Sequence, residues 1–210
     1  YITDAQEGLI AVDVNTLADG VARNNFLERA TTWNPDGVLR GARHLEIAGT
    51  TIYVAADRGL VVVDVDEPLA PKLVTVLPFD DVRASFRQFR YLFVTDAQGL
   101  HVVDVTDEAA PRRVPDAHVP LADAGKLHVA RTFAYVANGR DGLAIVEVET
   151  PEAPTLYQMF DADGRITAAR DVVVASTHAS LFAYVADGAR GLKIVQLTSP
   201  ESQPRFYGFS

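Results

Sequence analysis

Apolar and polar residues alternate along most of the chain, in short runs that end at clusters of Asp, Asn and Gly. A run of aromatic and β-branched residues, such as 53–56, is followed by a turn with Gly and then by a Val-rich run, such as 60–65. Alternation with a period of two is the pattern of β-strands, and Asp, Asn and Gly tolerate the positive φ angles of tight hairpins. The sequence therefore predicts β-hairpins, and no stretch shows helical periodicity.

The same hairpin pattern occurs five times. The copies begin at Tyr1, Tyr53, Phe93, Tyr135 and Tyr184. Each copy has a Gly-Leu pair after its turn, and the leucines of successive pairs are 51, 40, 43 and 49 residues apart. A repeat of about forty to fifty residues is typical of β-propellers, in which each repeat forms one blade.

Each hairpin has a predicted strand on either side. Inner strands are predicted upstream at 44–48, 82–88, 127–130 and 171–175, and outer strands downstream at 72–78, 155–160 and 205–210. Before the outer strand comes a pair of prolines, which have no N–H to donate and so end a ladder: Pro68 with Pro71, Pro151 with Pro154, Pro200 with Pro204. In the third repeat Glu108 stands where the first proline would be, before Pro111. Four strands per repeat predict an all-β protein, a β-propeller of four-stranded antiparallel blades whose apolar faces are buried by stacking.

We predict one β-propeller domain over residues 1–210, with repeats at about 1–40, 41–80, 81–122, 123–165 and 166–210. The first repeat begins inside the strand before its turn, so we expect the first blade to be incomplete. No spare strand is visible to complete it. We therefore expect the chain to be a fragment of a larger polypeptide, with four full blades and three strands of a fifth; a five-bladed ring closed in another way is the alternative.

Composition narrows the range of partners. The net charge of −9 and the pI near 4.9 disfavour nucleic acid, which requires clustered Lys and Arg, and oppose docking onto anionic lipid. The absence of cysteine excludes disulfides, thiolate nucleophiles, cysteine-ligated metals and covalently attached haem. No apolar stretch approaches the roughly 18 residues of a membrane span. We expect no cofactor, no nucleic acid and no membrane insertion by this segment.

The candidate functional residues are polar groups on or beside the predicted inner strands, which face the central channel of a propeller. His44 and His128 lie on these strands, and a polar lining at the channel mouth would comprise them together with Arg43, Glu46, Arg83, Lys126, Arg170 and Asp171. Such a lining either binds a ligand or simply faces water. The longest departure from the repeat, at 15–40, carries the single tryptophan, Trp33, and is either a partner contact or a loose loop.

Other polar groups have a structural interpretation beside a functional one. The turn residues Asp4, Asp57, Asp96, Asn138 and Asp187 suit calcium, but each lies on a different blade, so turn formation is the better interpretation. The five histidines, His44, His101, His118, His128 and His178, form no metal-binding or nucleophile motif. Loop carboxylates at Asp80, Asp81, Asp161 and Asp163 are either solvated or an acidic rim for a cationic partner. Arg83, Arg87 and Arg90, among Phe86, Phe89 and Tyr91, fit the exposed side of a strand or a protein contact better than a nucleic-acid patch.

The repeat resembles a known family. The run Tyr-Val-Ala-Asp-Gly-Ala-Arg-Gly-Leu-Lys-Ile-Val at 184–195, with prolines at 200 and 204, is similar to the LVIVD-repeat propellers of bacteria and archaea. The strands Val-Val-Val-Asp-Val at 61–65 and His-Val-Val-Asp-Val at 101–105 resemble the strand that names the family. Glu147 and Gln196 depart from the Asp found there in other repeats. The resemblance implies a part of a large exported protein, periplasmic or at the cell surface, and no catalytic residues. Residues 171–209 also resemble propeller ends in exported proteins that accompany multihaem cytochromes.

These observations predict a non-enzymatic β-propeller module that scaffolds or binds protein partners, or other domains of the same polypeptide, in a larger exported protein. Two alternatives stay open. One is an accessory subunit that docks with multihaem cytochromes in an electron-transfer assembly. The other is a metal-dependent propeller hydrolase, which needs inward carboxylates on several inner strands, where the sequence offers Glu46 and Asp171.

Overall fold

The computed structural model describes residues 1–14, 18–177 and 180–198. Their regular structure is almost entirely β, apart from short 3-10 turns. None of the described residues belongs to a helix long and apolar enough to cross a membrane. The described strands are β1 (Ile2–Asp4), β2 (Gly8–Asp13), β3 (Glu28–Trp33), β4 (His44–Ala48), β5 (Thr51–Ala56), β6 (Gly59–Asp64), β7 (Lys72–Leu77), β8 (Ala84–Gln88), β9 (Tyr91–Asp96), β10 (Gly99–Asp104), β11 (Arg112–Pro120), β12 (Leu127–Ala130), β13 (Phe133–Ala137), β14 (Leu143–Glu147), β15 (Thr155–Phe160), β16 (Asp171–Ser176), β17 (Leu181–Ala186) and β18 (Leu192–Thr198).

The strands form five antiparallel sheets, which we call blades 1 to 5 in chain order. Blades 2, 3 and 4 have four strands each, β4 to β7, β8 to β11 and β12 to β15, and within each blade every strand pairs with the next one in sequence. Among the described residues, blade 1 comprises the three strands β1 to β3, the number predicted from the sequence. Blade 5 comprises β16 to β18, and its predicted outer strand at 205–210 lies outside the described residues.

The hairpin at the centre of each blade depends on the Gly of the Gly-Leu pair. Gly59 and Gly99 have φ angles of 120° and 138°, which only glycine adopts easily. A Cβ at either position would also collide with a carbonyl oxygen of the outer strand, that of Leu77 or Val119. Glycine therefore both turns the chain and lets the outer strand approach.

Most of the predicted strands agree with those observed, but no bounds were predicted for β11, and two further differences concern β8 and the segment 15–40. Inner strand β8 begins at Ala84 rather than at residue 82, and the segment 15–40, expected as an insertion, contains the outer strand β3. β3 pairs with β2 over Glu28–Trp33, and Trp33 lies opposite Leu9. The sequence of β3, Glu-Arg-Ala-Thr-Thr-Trp, lacks the apolar alternation that revealed the other strands, because most of its side chains are exposed.

The chain divides into two compact units. Unit 1 comprises Tyr1–Asp96 and Val103–Arg112, and unit 2 comprises Ala97–Val102 and Arg113–Ser210.

In unit 1, the two faces of each blade pack in a fixed order. The face of blade 2 that we call the Tyr face carries Tyr53, Ala55, Leu60 and Val62. The opposite face, which we call the Val face, carries Ile52, Val54, Val61 and Val63. The two faces of every other blade are named by matching its strand register to that of blade 2. The Tyr face of blade 2 packs against the Val face of blade 3, with Leu92, Val94 and Val103. The Val face of blade 2 packs against Leu9 and Trp33 of blade 1.

Unit 2 repeats this order between blades 4 and 5. Tyr135, Ala137 and Leu143, on the Tyr face of blade 4, pack against Val172, Val174 and Val185, on the Val face of blade 5. The core of each unit is thus a stack of sheets whose apolar faces cover one another, as the repeat pattern predicts.

Candidate functional site

Two of the predicted site residues in unit 1 bond to the neighbouring inner strand. His44 and Glu46 occupy alternate positions of β4, so their side chains point the same way. The Nε2 atom of His44 lies 2.9 Å from the carbonyl oxygen of Ser85, and Oε1 of Glu46 accepts the N–H of Arg87 at 3.0 Å. Because β8 is the edge strand of blade 3, these bonds satisfy backbone groups that have no strand partner.

A second layer of polar contacts lies behind this pair. Arg87 donates through Nη1 to Oε1 of Glu108 at 2.6 Å, and the hydroxyl of Thr51 donates to the other oxygen of the same carboxylate. Glu108 belongs to blade 3 and Thr51 to blade 2, so the carboxylate joins the two blades. The sequence signal for this contact is the replacement of a repeat proline by Glu108.

Burial and hydrogen bonds shift the acidities in this cluster in opposite directions. Burial raises the pKa of Glu46, although the N–H of Arg87 and its guanidinium act against the shift. The Thr51 hydroxyl and Arg87 lower the pKa of Glu108 despite partial burial. Burial raises the pKa of Tyr53 to about 12. The cluster therefore contains a carboxylate held ionised, a carboxyl group that is poorly solvated when ionised, and a phenol that stays neutral.

Arg43 and Arg83 precede the inner strands of blades 2 and 3 and meet a shared carboxylate. Arg43 contacts Asp57 at 2.5 Å and Asp81 at 2.8 Å, and Nε of Arg83 contacts Asp81 at 3.0 Å. All four side chains are partly exposed, so water and salt screen these ion pairs. Asp81, predicted to belong to an acidic rim, is thus neutralised by two arginines.

The predicted residues of unit 2 make different contacts at matching positions. Lys126 lies 3.0 Å from Asp171, and Arg170 lies 3.5 Å from Asp123. His128 pairs with Tyr135 as Glu46 pairs with Tyr53, so it occupies the position of Glu46. Burial lowers the pKa of His128, which favours the neutral imidazole. In unit 2 the charged side chains on or before neighbouring inner strands thus pair with each other.

Trp33, the predicted contact in an insertion, lies at the end of β3 and packs half-buried against the cluster formed by blades 1 and 2. A partner contact at Trp33 stays a prediction, but the segment around it is not a simple loop, since 28–33 is an outer strand.

The Asp and Asn side chains at the turns hold backbone N–H groups. Oδ1 of Asp187 accepts the N–H groups of Thr167 and Ala168, at 2.9 and 2.6 Å, in the loop that enters blade 5. At the matching position of blade 4, Oδ1 of Asn138 accepts the N–H of Asp123 at 2.8 Å. These contacts support the interpretation of these residues as structural rather than metal-binding.

Asp57 does not occupy the same position in its turn as Asp4. Asp4 pairs with Gly8 at the end of its strand, whereas in blade 2 it is Ala56 that pairs with the glycine, Gly59. Asp57 stands one position later and is engaged with Arg43 instead. Across the described parts of both units, no three His, Asp or Glu side chains lie close enough together to hold a metal ion.

The remaining histidines and arginines are also engaged locally. His101 and His118 stack with ring centroids 4.3 Å apart, and His118 lies 3.2 Å from the carbonyl oxygen of Gln98. The Arg90 guanidinium lies 4.9 Å from the ring centroid of Tyr91. His178 lies outside the described residues.

Two cavities, one in each unit, are lined by residues that do not belong to the predicted polar lining. One in unit 1, of about 420 Å³, is lined by Tyr1, Val12, Val14 and Leu69 among others. One in unit 2, of about 500 Å³, is lined by Phe133, Tyr135, Tyr157 and Leu181 among others. Neither includes a residue of the predicted polar lining.

The repeated antiparallel sheets and the contacts between their faces define a β-propeller module of four-stranded blades. The LVIVD repeat model matches residues 40–77, 90–114, 122–162 and 168–208. The chain belongs to the LVIVD-repeat family, which confirms the resemblance seen in the sequence.

Solved structures of low sequence identity share the fold. The computationally designed protein Ika4 superposes with a TM-score of 0.55 at 12% identity, over 78% of this chain and 95% of that one. A chain of a nidogen/laminin complex gives 0.55 at 11% identity, over 83% and 66%. The extracellular domain of BT4673 from B. thetaiotaomicron gives 0.54 at 12% identity, over 82% of this chain but 24% of that one. No curated protein sequence matches the chain.

Proposed function

We propose that the chain is a non-enzymatic β-propeller module that binds protein partners, or other domains of its own polypeptide, within a larger exported protein of the periplasm or cell surface. The observation that carries this proposal is the set of contacts that the polar residues on or beside the inner strands make. His44 and Glu46 bond to backbone groups of the next blade, and Lys126 and Arg170 pair with carboxylates. An active site instead requires such groups to converge on a reacting atom.

Exposed apolar side chains support a binding role. Phe89 on a hairpin of blade 3, Leu69 in a loop of blade 2 and Leu192 on blade 5 are all well exposed. Two structures of the same fold are a chain of a nidogen/laminin complex and the extracellular domain of BT4673. Both facts favour an interaction module outside the cell.

The absence of cysteine makes a direct test possible, since one introduced cysteine is a unique label. Leu69→Cys and Asp163→Cys place it at exposed positions of different loops. A thiol-to-amine cross-linker applied to intact cells should give a discrete adduct with a protein, in the envelope fraction, from at least one variant. The unsubstituted chain, treated in the same way, is the control and should give none.

The same preparation separates the alternatives. A stoichiometric metal ion in the purified protein, with hydrolytic activity lost on its removal, would overturn the non-enzymatic assignment. A Soret absorbance that co-purifies with the chain would identify the partner as a haem protein. Recovery of the chain solely in the cytosolic fraction, without adducts, would contradict both export and binding.

A further inference from the structure

Strand β15 is the outer strand of blade 4 and an edge of its sheet. Among the described strands it pairs with β14 alone, so the N–H and C=O groups along its other side face no strand. Five of its six residues are exposed, and they include the large apolar side chains of Leu156, Tyr157 and Met159, which are 45%, 64% and 38% exposed. An exposed apolar edge strand is a template for pairing with a further strand.

Charged residues and proline, which discourage such pairing at sheet edges, are missing from β15. Its sequence is Thr-Leu-Tyr-Gln-Met-Phe. The outer strands of blades 1 to 3 all differ: β3 carries Glu28, β7 begins with Lys72, and β11 contains Pro115. The bulge in β15 does not set it apart, because the ladder shifts register at the matching place in blades 1 and 2. Of these four described outer strands, β15 is therefore the one whose sequence leaves the edge open to pairing.

A cavity lies beside this strand. Its volume is about 500 Å³, and Tyr157 and Gln158 of β15 line it together with Phe133, Tyr135 and Ile145, among others. The rings of Phe133 and Tyr157 meet edge to face, with centroids 5.3 Å apart. Aromatic and apolar walls with a few polar groups are typical of ligand pockets. When a peptide adds a strand to a sheet edge, such a pocket selects one of its side chains.

Carboxylates lie close to both ends of β15. Glu147 stands opposite the first residue of the strand, Asp161 directly follows the last, and both are exposed. Two arginines lie in the same region: Arg165, which is 3.5 Å from Asp163, and Arg131, which also lines the cavity. Because the whole chain carries a net charge of −9, its long-range field favours a segment with basic residues.

We propose that β15 binds an extended segment of a protein partner, which adds a fifth strand to blade 4 and places an apolar side chain in the cavity beside Tyr157. The proposal rests on the binding role proposed above and names its surface and the chemistry of the partner. The segment has alternating apolar residues in its middle and basic residues at its ends. Main-chain hydrogen bonds to the edge supply the affinity, and the cavity supplies the selectivity.

Selection from a phage-displayed library of short random peptides tests the proposal. Peptides enriched on the unsubstituted chain should carry the pattern of apolar and basic residues described above. A synthetic copy of one should bind at least about tenfold more weakly to Leu156→Lys, which puts a lysine on the edge, as β7 has at Lys72. Leu69→Lys makes the same change of charge at an exposed loop residue and should bind the peptide like the unsubstituted chain.

Methylation of the peptide backbone tests the pairing without relying on any variant of the chain. Only every second N–H of an added strand faces β15. N-methylation of one alternate set of peptide residues should therefore weaken binding at least about tenfold, and N-methylation of the other set should weaken it much less. The unmethylated peptide should also slow amide hydrogen exchange within residues 155–160.

Failure to enrich any peptide on the unsubstituted chain over Leu156→Lys, or binding that tolerates both methylation patterns, overturns the proposal. Dimers of the unsubstituted chain that Leu156→Lys dissociates would also overturn it, because the strand added to the edge would then belong to a second copy. If the proposal fails while the envelope cross-linking still gives an adduct, the general binding role stands and only the site at β15 is wrong.

Discussion

The contact between blades 2 and 3 in unit 1 and the contact between blades 4 and 5 in unit 2 use the same apolar residues and different polar ones. Tyr53 and Tyr135 occupy one position and are both buried under the next blade. Glu46 and His128 also occupy one position, but Glu46 accepts the N–H of Arg87, while burial lowers the pKa of His128. The repeat thus specifies the apolar faces, and the polar residues are adapted to each contact.

We infer that the polar inner-strand residues serve assembly. A shared catalytic or ligand-binding function would require complementary groups directed at a common point. The observed groups instead satisfy an edge strand in unit 1 and pair as exposed ions in unit 2.

The largest expected effect concerns the apolar positions. Leu60→Ala and Leu143→Ala should each lower the free energy of unfolding by about 2–5 kcal/mol, because each removes a fully buried side chain and leaves a cavity. Leu192→Ala, at the matching exposed position, should cost less than about 1 kcal/mol in dilute solution. Urea unfolding measures all three, and equal losses at the three positions would refute the distinction between covered and uncovered faces.

The next largest effect concerns the loop that enters blade 5. Asp187→Ala leaves the partly buried N–H groups of Thr167 and Ala168 without their acceptor and should cost about 1–3 kcal/mol. Asp187→Asn, which keeps an acceptor oxygen as Asn138 does in blade 4, should cost less. Amide hydrogen exchange at residues 167 and 168 should accelerate in the alanine variant. Unchanged exchange there would mean that the loop is held by other contacts.

Two carboxyl groups at the contact between blades 2 and 3 should contribute to folding stability with opposite dependences on pH. The pKa of Glu46 is raised in the folded state, so its contribution to stability is present below the unfolded pKa and is lost as pH rises through the folded pKa. The pKa of Glu108 is lowered, so its contribution is present above the unfolded pKa and is lost as pH falls through the folded pKa. As pH rises above about 4.3, the pKa of an ordinary Glu, Glu46→Gln should gain stability relative to the unsubstituted chain; as pH rises toward about 4.3 from below, Glu108→Gln should lose stability relative to it. Denaturant midpoints at several pH values measure this, and slopes of the same sign would contradict it.

The smallest effects should come from the exposed ion pairs. Arg43→Met and Lys126→Met each remove partly exposed pairs and should change the free energy of unfolding by about 0–1 kcal/mol, less at high salt. Thermal unfolding at two salt concentrations measures the difference. A loss well above this range from Arg43→Met would show that its two carboxylates are coupled more strongly than their exposure indicates.

The sequence predicts the strands well because period-two alternation and the Gly-Leu turns are local signals. Inner strands β4 and β12 were predicted to the residue, while the bounds of β3 were not predicted because its side chains are mostly exposed and carry no apolar pattern. The candidate polar residues were placed correctly on or beside inner strands. Their partners were not predictable, because the bond from Glu46 to Arg87 depends on which strands become neighbours. Glu108 was visible only as a departure from the proline pattern.

The most direct test of the central claim, that the inner-strand polar residues join blades, is hydrogen exchange at the amide of Arg87. In the unsubstituted chain this N–H is bonded to Glu46 and should be protected although it lies on an edge strand. Glu46→Ala should accelerate its exchange markedly, while Glu46→Gln, which retains an acceptor, should keep most of the protection. Equal protection of Arg87 in all three proteins would contradict the claim and return Glu46 to the candidates for a ligand-binding role.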